Sequence, residues 1–141
     1  MSLLDVFDIA GSAMAAQNVR LNTTASNLAN AESVSSNMGE TYRARHPVFA
    51  SRLEQAFSLT GSVAAARGVR VLGIIESTAP LNLKYEPDHP LSNDEGYVAY
   101  PNVNVVEEMA DMMSATRSFQ LNVEILNSVK SLAERLLTMG Q

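Results

Sequence analysis

The sequence predicts a mainly α-helical protein with a small β-rich insert. Three observations carry that reading. Heptad patterns of apolar residues occupy both ends of the chain, all five prolines fall between them, and so do five of the seven glycines. The expected architecture is a terminal helical domain formed by residues 1–31 together with 103–141, its long N- and C-terminal helices pairing as a coiled coil. A central hairpin-like and irregular region, residues 32–102, lies between them.

The N-terminal helix is expected over residues 3–31. Leu4, Gly11, Asn18 and Ala25 repeat at one heptad position, and Phe7, Met14, Leu21 and Leu28 three residues later at the other. Ser2 followed by Asp5 is an acceptable N-terminal cap. Gly11 and Ala25 allow close backbone approach, and Asn18 in the seam favours one register at a cost in stability. Asn22, Thr23, Thr24, Ser26, Asn27 and Asn30 are mediocre helix formers, since their side chains compete for backbone hydrogen bonds. This segment is therefore expected to be poorly ordered in a free monomer and to order on assembly.

The C-terminal helix is expected over residues 103–139. Val105, Met112, Phe119, Leu126 and Ala133 form one stripe, and Met109, Thr116, Val123, Lys130 and Leu137 the other. Asn104 with Glu107 resembles a capping box, and Glu107, Glu108 and Asp111 suit the helix dipole. Gly140 is a natural stop. A further apolar stripe, Ile125, Leu132 and Met139 with Val129 and Leu136, leaves little of the last turns polar, so one partner helix cannot cover it. Phe7, Met14, Leu21 and Leu28 are expected to pack within the chain against Met109, Met112, Phe119, Val123 and Leu126. Ile125, Val129, Leu132 and Leu136 are expected to meet neighbouring subunits, with Asn18, Asn27 and Asn30 setting register or ending the helix.

In the central region, Val69–Ile75 is the clearest strand and Thr41–Phe49 a second. Leu81–Tyr85 and Tyr97–Tyr100 are short candidates, and Asn93-Asp94-Glu95-Gly96 is a turn. Residues 51–57 suggest a short helix and 58–66 a mobile loop.

Composition excludes several functions. The net charge is −5 and no Lys/Arg cluster is present, which argues against nucleic-acid binding. No apolar run is long enough to span a membrane. Cysteine is absent, which removes disulfides, thiolate metal sites and Cys nucleophiles. The start, Met1-Ser2-Leu3-Leu4-Asp5, has no basic region followed by an apolar segment, so a cleaved secretory signal is not expected. His89, within Glu86-Pro87-Asp88-His89-Pro90, lacks the ligand set zinc needs, and a Pro-rich turn is the better reading. His46 is read as a strand or strand-end residue held extended by Pro47. Asp94 and Glu95 are read as turn residues, since no nucleophile or apolar pocket is implied near them. No cofactor, metal site or enzymatic activity is expected.

Longer strings point to a family. The run from Ala15 to Ala31, with Ser26-Asn27-Leu28-Ala29-Asn30-Ala31 at its core, resembles the N-terminal signature of flagellar rod and hook proteins. Gly96 to Met109, followed by Arg117-Ser118-Phe119-Gln120, resembles the C-terminal signature of that family's proximal rod members. Residues 50–68 carry none of its strings. The resemblance implies a structural subunit of the bacterial flagellar basal-body rod, exported through the flagellar type III apparatus without a cleaved signal. Its helices would pack into a tube within the periplasm that transmits torque. Implied partners are copies of itself, other rod proteins, the export apparatus and basal-body ring components. Nucleic acid and membrane insertion are not implied. A cytosolic helical dimer or adaptor is the rival on periodicity alone. A wall-cleaving enzyme is a weaker rival, and a neighbouring rod protein of the same family a closer one.

Overall fold

The computed structural model describes residues 3–35, 39–54 and 65–139. Among the described residues, two long helices stand at the ends of the chain, with four strands between them, two long and two short, in two separate two-stranded sheets. Helix α1 spans Leu3–Ala29, and helix α2 spans Val105–Met139. At 1.5 Å per residue they are roughly 40 and 50 Å long. The Ser2 half of the proposed cap and the Gly140 stop lie outside the described residues.

Helix α1 ends at the asparagines. Asn30 donates its Nδ2 to the Ser26 carbonyl at 2.8 Å, and its backbone N–H reaches the same oxygen at 3.2 Å. A carbonyl of the last turn is thereby satisfied, and the chain leaves the helix there. Helix α2 starts at Asn104, whose Oδ1 accepts the N–H groups of Val106 at 3.2 Å and Glu107 at 3.5 Å. That is the N-cap geometry expected from the sequence.

Strands β1 (Arg45–Glu54) and β2 (Ala65–Glu76) pair with each other. The first residue of one faces the last of the other, with Arg45 Nη2 3.0 Å from Glu76 Oε1, and Ser77 N–H meets the Ala44 carbonyl at 2.7 Å. Both strands extend past the expected bounds. Ser51–Glu54 continue β1 rather than opening a helix, while Thr41–Ala44 precede the strand. Ala50 to Glu54 is short enough that its apolar spacing suits either state, and pairing with β2 decides. The rest of the expected helix and most of the 58–66 loop lie outside the described residues; Ala65 and Ala66 belong to β2.

Strands β3 (Asn82–Tyr85) and β4 (Tyr97–Tyr100) are antiparallel, with Tyr85 opposite Tyr97 and Asn82 opposite Tyr100. Ser35 bridges to Ala99 on the other side of β4. Asn93–Gly96 is the expected turn. Its Gly96 N–H meets the Asn93 carbonyl at 2.9 Å, and Asn93 Oδ1 accepts the N–H groups of Glu95 and Tyr97. Gly96 has φ +81°, and a Cβ there would press on the Tyr85 ring at 2.8 Å, so glycine is required.

The chain divides into two compact units, along lines different from the helical and insert regions drawn from the sequence. One comprises Met1–Val19, Val48–Gly73 and Ser114–Gln141. Its buried apolar side chains are small: Ala10, Ala16, Ala115 and Val129. Here α1 meets β2 through Ser12, whose Oγ accepts the Val69 N–H at 3.1 Å and donates to the Ile9 carbonyl at 2.8 Å. The other comprises Arg20–Pro47 and Ile74–Met113. Its core is Ala44, Val98, Ala99, Pro101 and Val103 with Thr23, Thr24, Asn27, Thr41 and Glu108.

Candidate assembly site

The second unit is organised around a buried asparagine. Thr23, Thr24 and Asn27 lie on one face of the last turns of α1, and that face is buried although it is polar. Burial without partners would cost each group its hydration. Asn27, 0% exposed, meets the requirement in full. Its Oδ1 accepts the Tyr42 hydroxyl at 2.8 Å and the Arg45 N–H at 2.9 Å. Its Nδ2 donates to the Arg45 carbonyl at 2.9 Å and to Glu108 Oε1 at 2.7 Å. One side chain thus uses two acceptor sites and two donors to join α1, the lead into β1 and the first turn of α2.

Glu108 is the other half of this clasp. Burial raises its carboxyl above the ordinary value of 4.5, while the hydrogen bonds from Asn27 and Thr24 and the nearby His46 oppose the shift and Asp111 adds to it. The Tyr42 hydroxyl is also raised, by burial, against the pull of the Arg45 guanidinium. Tyr42 donates its proton to Asn27, and the net rise keeps that donor protonated. Arg45 lies 5.4 Å from the Tyr42 ring centroid and pairs with Glu76. Asn102 adds a second tie, accepting the Ala44 N–H at 2.8 Å and donating to the Ala79 carbonyl at 3.0 Å.

Several sequence expectations place differently. Glu108, assigned to the helix dipole, is buried in the clasp, and Asn27, assigned to subunit contacts, is enclosed by its own chain. Asn18 is exposed and Asn30 half-buried. Along α2 the buried line runs through Glu108, Ala115 and Val129, with Asn122 half-buried between them. Met112, Phe119 and Leu126 flank that line and are half-buried, as is Val123. Met109, assigned to intrachain packing, is 54% exposed, and Val129, assigned to a neighbour, is 8% exposed. The buried face is thus turned by one residue, about 100°, from the Met109–Thr116–Val123–Lys130 seam. Small and polar residues mark it, and a search for large apolar residues passes over them. On α1, Met14, Leu21 and Leu28 are half-buried and Phe7 lies at the surface. Gly11 has open space where a Cβ would stand, so no close approach occurs there. Ile125, Leu132 and Leu136, assigned to neighbours, are exposed.

Among the described residues no group of three or more His, Cys, Asp or Glu side chains converges as a metal site would require, and no helix is long and apolar enough to cross a membrane. His89 sits in a turn, its Nδ1 accepting the Leu91 N–H at 3.1 Å.

The segments joined by the clasp are the ones that known proteins share. Residues 7–35 match the family described as "Flagella basal body rod protein", and residues 94–139 match "Flagellar basal body rod FlgEFG protein C-terminal". The match is not confined to the ends. The chain is 53% identical to the flagellar basal-body rod protein FlgC of Salmonella typhimurium over 141 residues, covering 100% of both chains. The chain belongs to the flagellar basal-body rod protein family. Other full-length relatives in it are FlgC of Escherichia coli O157:H7, 54% identical, and FlgC of Borreliella burgdorferi, 34% identical over 151 residues, with 100% of this chain and 99% of that one covered. The rod family is structural, not an enzyme family, and its place is the rod of the flagellar basal body. Within this member, Asn27 and Glu108 tie the two family segments together.

Proposed function

We propose that the terminal helices of this rod protein pair as a coiled-coil core and stack, with copies of the chain and other rod proteins, into a helical tube that transmits torque. The tube stands in the periplasm, and the subunit reaches it through the flagellar type III apparatus. Its neighbours there are export-apparatus and basal-body ring components. The work is mechanical and no residue acts as a catalyst.

One observation carries this reading. The last turns of α2 leave Leu132, Leu136, Leu137 and Met139 more than half exposed in the single chain. Each large apolar side chain contributes about 1.5–3 kcal/mol when fully buried. A row of four at one helix end is therefore a strong drive to associate. Repeated with rotation and rise, such a contact generates a helical assembly.

The test exploits their exposure. Leu132→Asp with Leu136→Asp leaves the chain's own buried residues untouched, so the helix content by circular dichroism stays at the parental level. In a strain lacking the parental chain, the variant is expected to be absent from isolated basal bodies and swimming is expected to be lost. Parental swimming by that variant would defeat the reading, and it would then favour an adaptor built on the same helices.

A further inference from the structure

We propose that a second copy of this chain is held through the sheets as well as the helices: the Arg70–Leu72–Ile74 face of β2 in one copy docks on the β3–β4 face and acidic turn of the next. The proposal rests on the tube reading above and adds a contact between its subunits.

The two surfaces differ in charge. Alternation along β2 puts Arg70, Leu72, Ile74 and Glu76 on one face, and Glu76 there is paired with Arg45, so the charge that this face presents is that of Arg70. Arg70 is exposed. From Tyr85 to Thr116, by contrast, there are seven acidic residues and no Lys or Arg. Glu108 is committed to the clasp and Glu86 accepts the Tyr100 hydroxyl at 3.2 Å. Asp88, Asp94 and Glu95, in the connection between β3 and β4, are exposed. Lys84 bears the nearest cation in sequence, and its ammonium sits 4.0 Å from the Tyr100 ring centroid.

Both surfaces are also apolar. Side chains alternate along β2, so Arg70, Leu72 and Ile74 share one face, with Leu72 and Ile74 at 58% and 53% exposure. On β3–β4, Leu83, Tyr85 and Tyr97 share the face opposite Val98, with Ala99 buried among them opposite Leu83, and the two tyrosine rings meet edge to face at 5.3 Å. An apolar strand face bearing Arg70 and an apolar face beside an acidic turn, on the same chain, are complementary between copies. Because they are different patches, the contact is head-to-tail and propagates, as a tube requires. Each face presents only a few large side chains, well short of the roughly 800 Å² per partner of a standard interface. The contact therefore supplements the helical one and does not hold an isolated dimer.

The absence of cysteine makes this testable by cross-linking. Full-length chains carrying Leu72→Cys and Tyr97→Cys are mixed at a concentration where the parent assembles, then oxidised with diamide. The mixed disulfide dimer is expected to exceed either self-dimer several-fold. Its yield should fall when Arg70→Glu is added to the first chain and recover when Asp94→Lys and Glu95→Lys are added to the second. A mixed dimer no more abundant than the self-dimers, in a sample that assembles, overturns the contact and leaves the tube reading standing. Failure of the parent to assemble at any concentration counts against both.

Discussion

Asn27 and Glu108 are the residues on which the second unit turns. All four hydrogen-bonding positions of the Asn27 amide are used, and the groups it serves are partly or wholly buried. Truncation leaves the Arg45 N–H and carbonyl and the Glu108 carboxylate short of partners, and such groups cost about 1–3 kcal/mol each where water cannot reach them. Asn27→Ala is therefore expected to lower the unfolding free energy of the full-length chain by about 2–3 kcal/mol in a urea titration. Glu108 gives a pH signature of a definite sign. Burial raises its carboxyl, so the native chain holds this proton more tightly than the unfolded chain does. Its contribution is then most favourable below the unfolded value of 4.5 and is lost as pH rises through the higher native one. Glu108→Gln keeps an oxygen to accept from Asn27 Nδ2 and removes the titration. Relative to the parent, the variant should gain stability on going from mild acid to neutrality; a difference independent of pH would refute the assignment. Nothing in the sequence pattern marked Glu108 for this role, because an acid in a first helical turn is well explained by the dipole.

At the scale of elements, the helices and their ends were legible and the buried faces were not. Heptad spacing located α1 and α2 to within two residues at each expected boundary, and Asn104 marked the start of α2 as its cap. The buried line of each helix nonetheless follows alanine, threonine, asparagine and glutamate, with Val129 as its one larger apolar member. Which small residue is buried depends on what stands opposite. The pairing of Ser12 with Gly68 illustrates this. Gly68 has φ +124°, and a Cβ on it would run into the Ser12 hydroxyl that receives the Val69 N–H. Gly68→Ala is expected to cost about 1–3 kcal/mol, from strained backbone together with displacement of Ser12. Hydrogen exchange should show this as faster exchange of the Val69 amide. In the sequence Gly68 stands just before the expected Val69–Ile75 strand, and its contact with α1 emerges from the fold.

For the whole molecule the question is how many chains the exposed surface implies. Leu132, Leu136, Leu137 and Met139 on α2, and Leu72, Ile74 and Ile75 on β2, lie far from one another in sequence and are all more than half exposed. A low share of charged residues, 18%, leaves little to oppose association. The parent is expected to grow with concentration in sedimentation velocity, and the Leu132→Asp, Leu136→Asp chain to remain monomeric over the same range. Growth of both alike would show that the end of α2 is not the contact. Raised salt should weaken any contact carried by Arg70 and the acidic turn more than one carried by the α2 leucines, since exposed charges are screened and apolar burial is not.

By itself the sequence determined the two terminal helices, the sheet-forming middle and, through the Ser26–Ala31 and Gly96–Met109 strings, the rod family. Periodicity, caps and signature strings are local properties, and they survive without knowledge of what packs where. Tertiary structure alone decided which face of each helix is buried, that Ser51–Glu54 extend a strand, and that Asn27 closes on Glu108, 81 positions away. Those outcomes depend on the partner that desolvates a group and on whether that partner returns the lost hydrogen bonds. No single stretch of sequence contains that information.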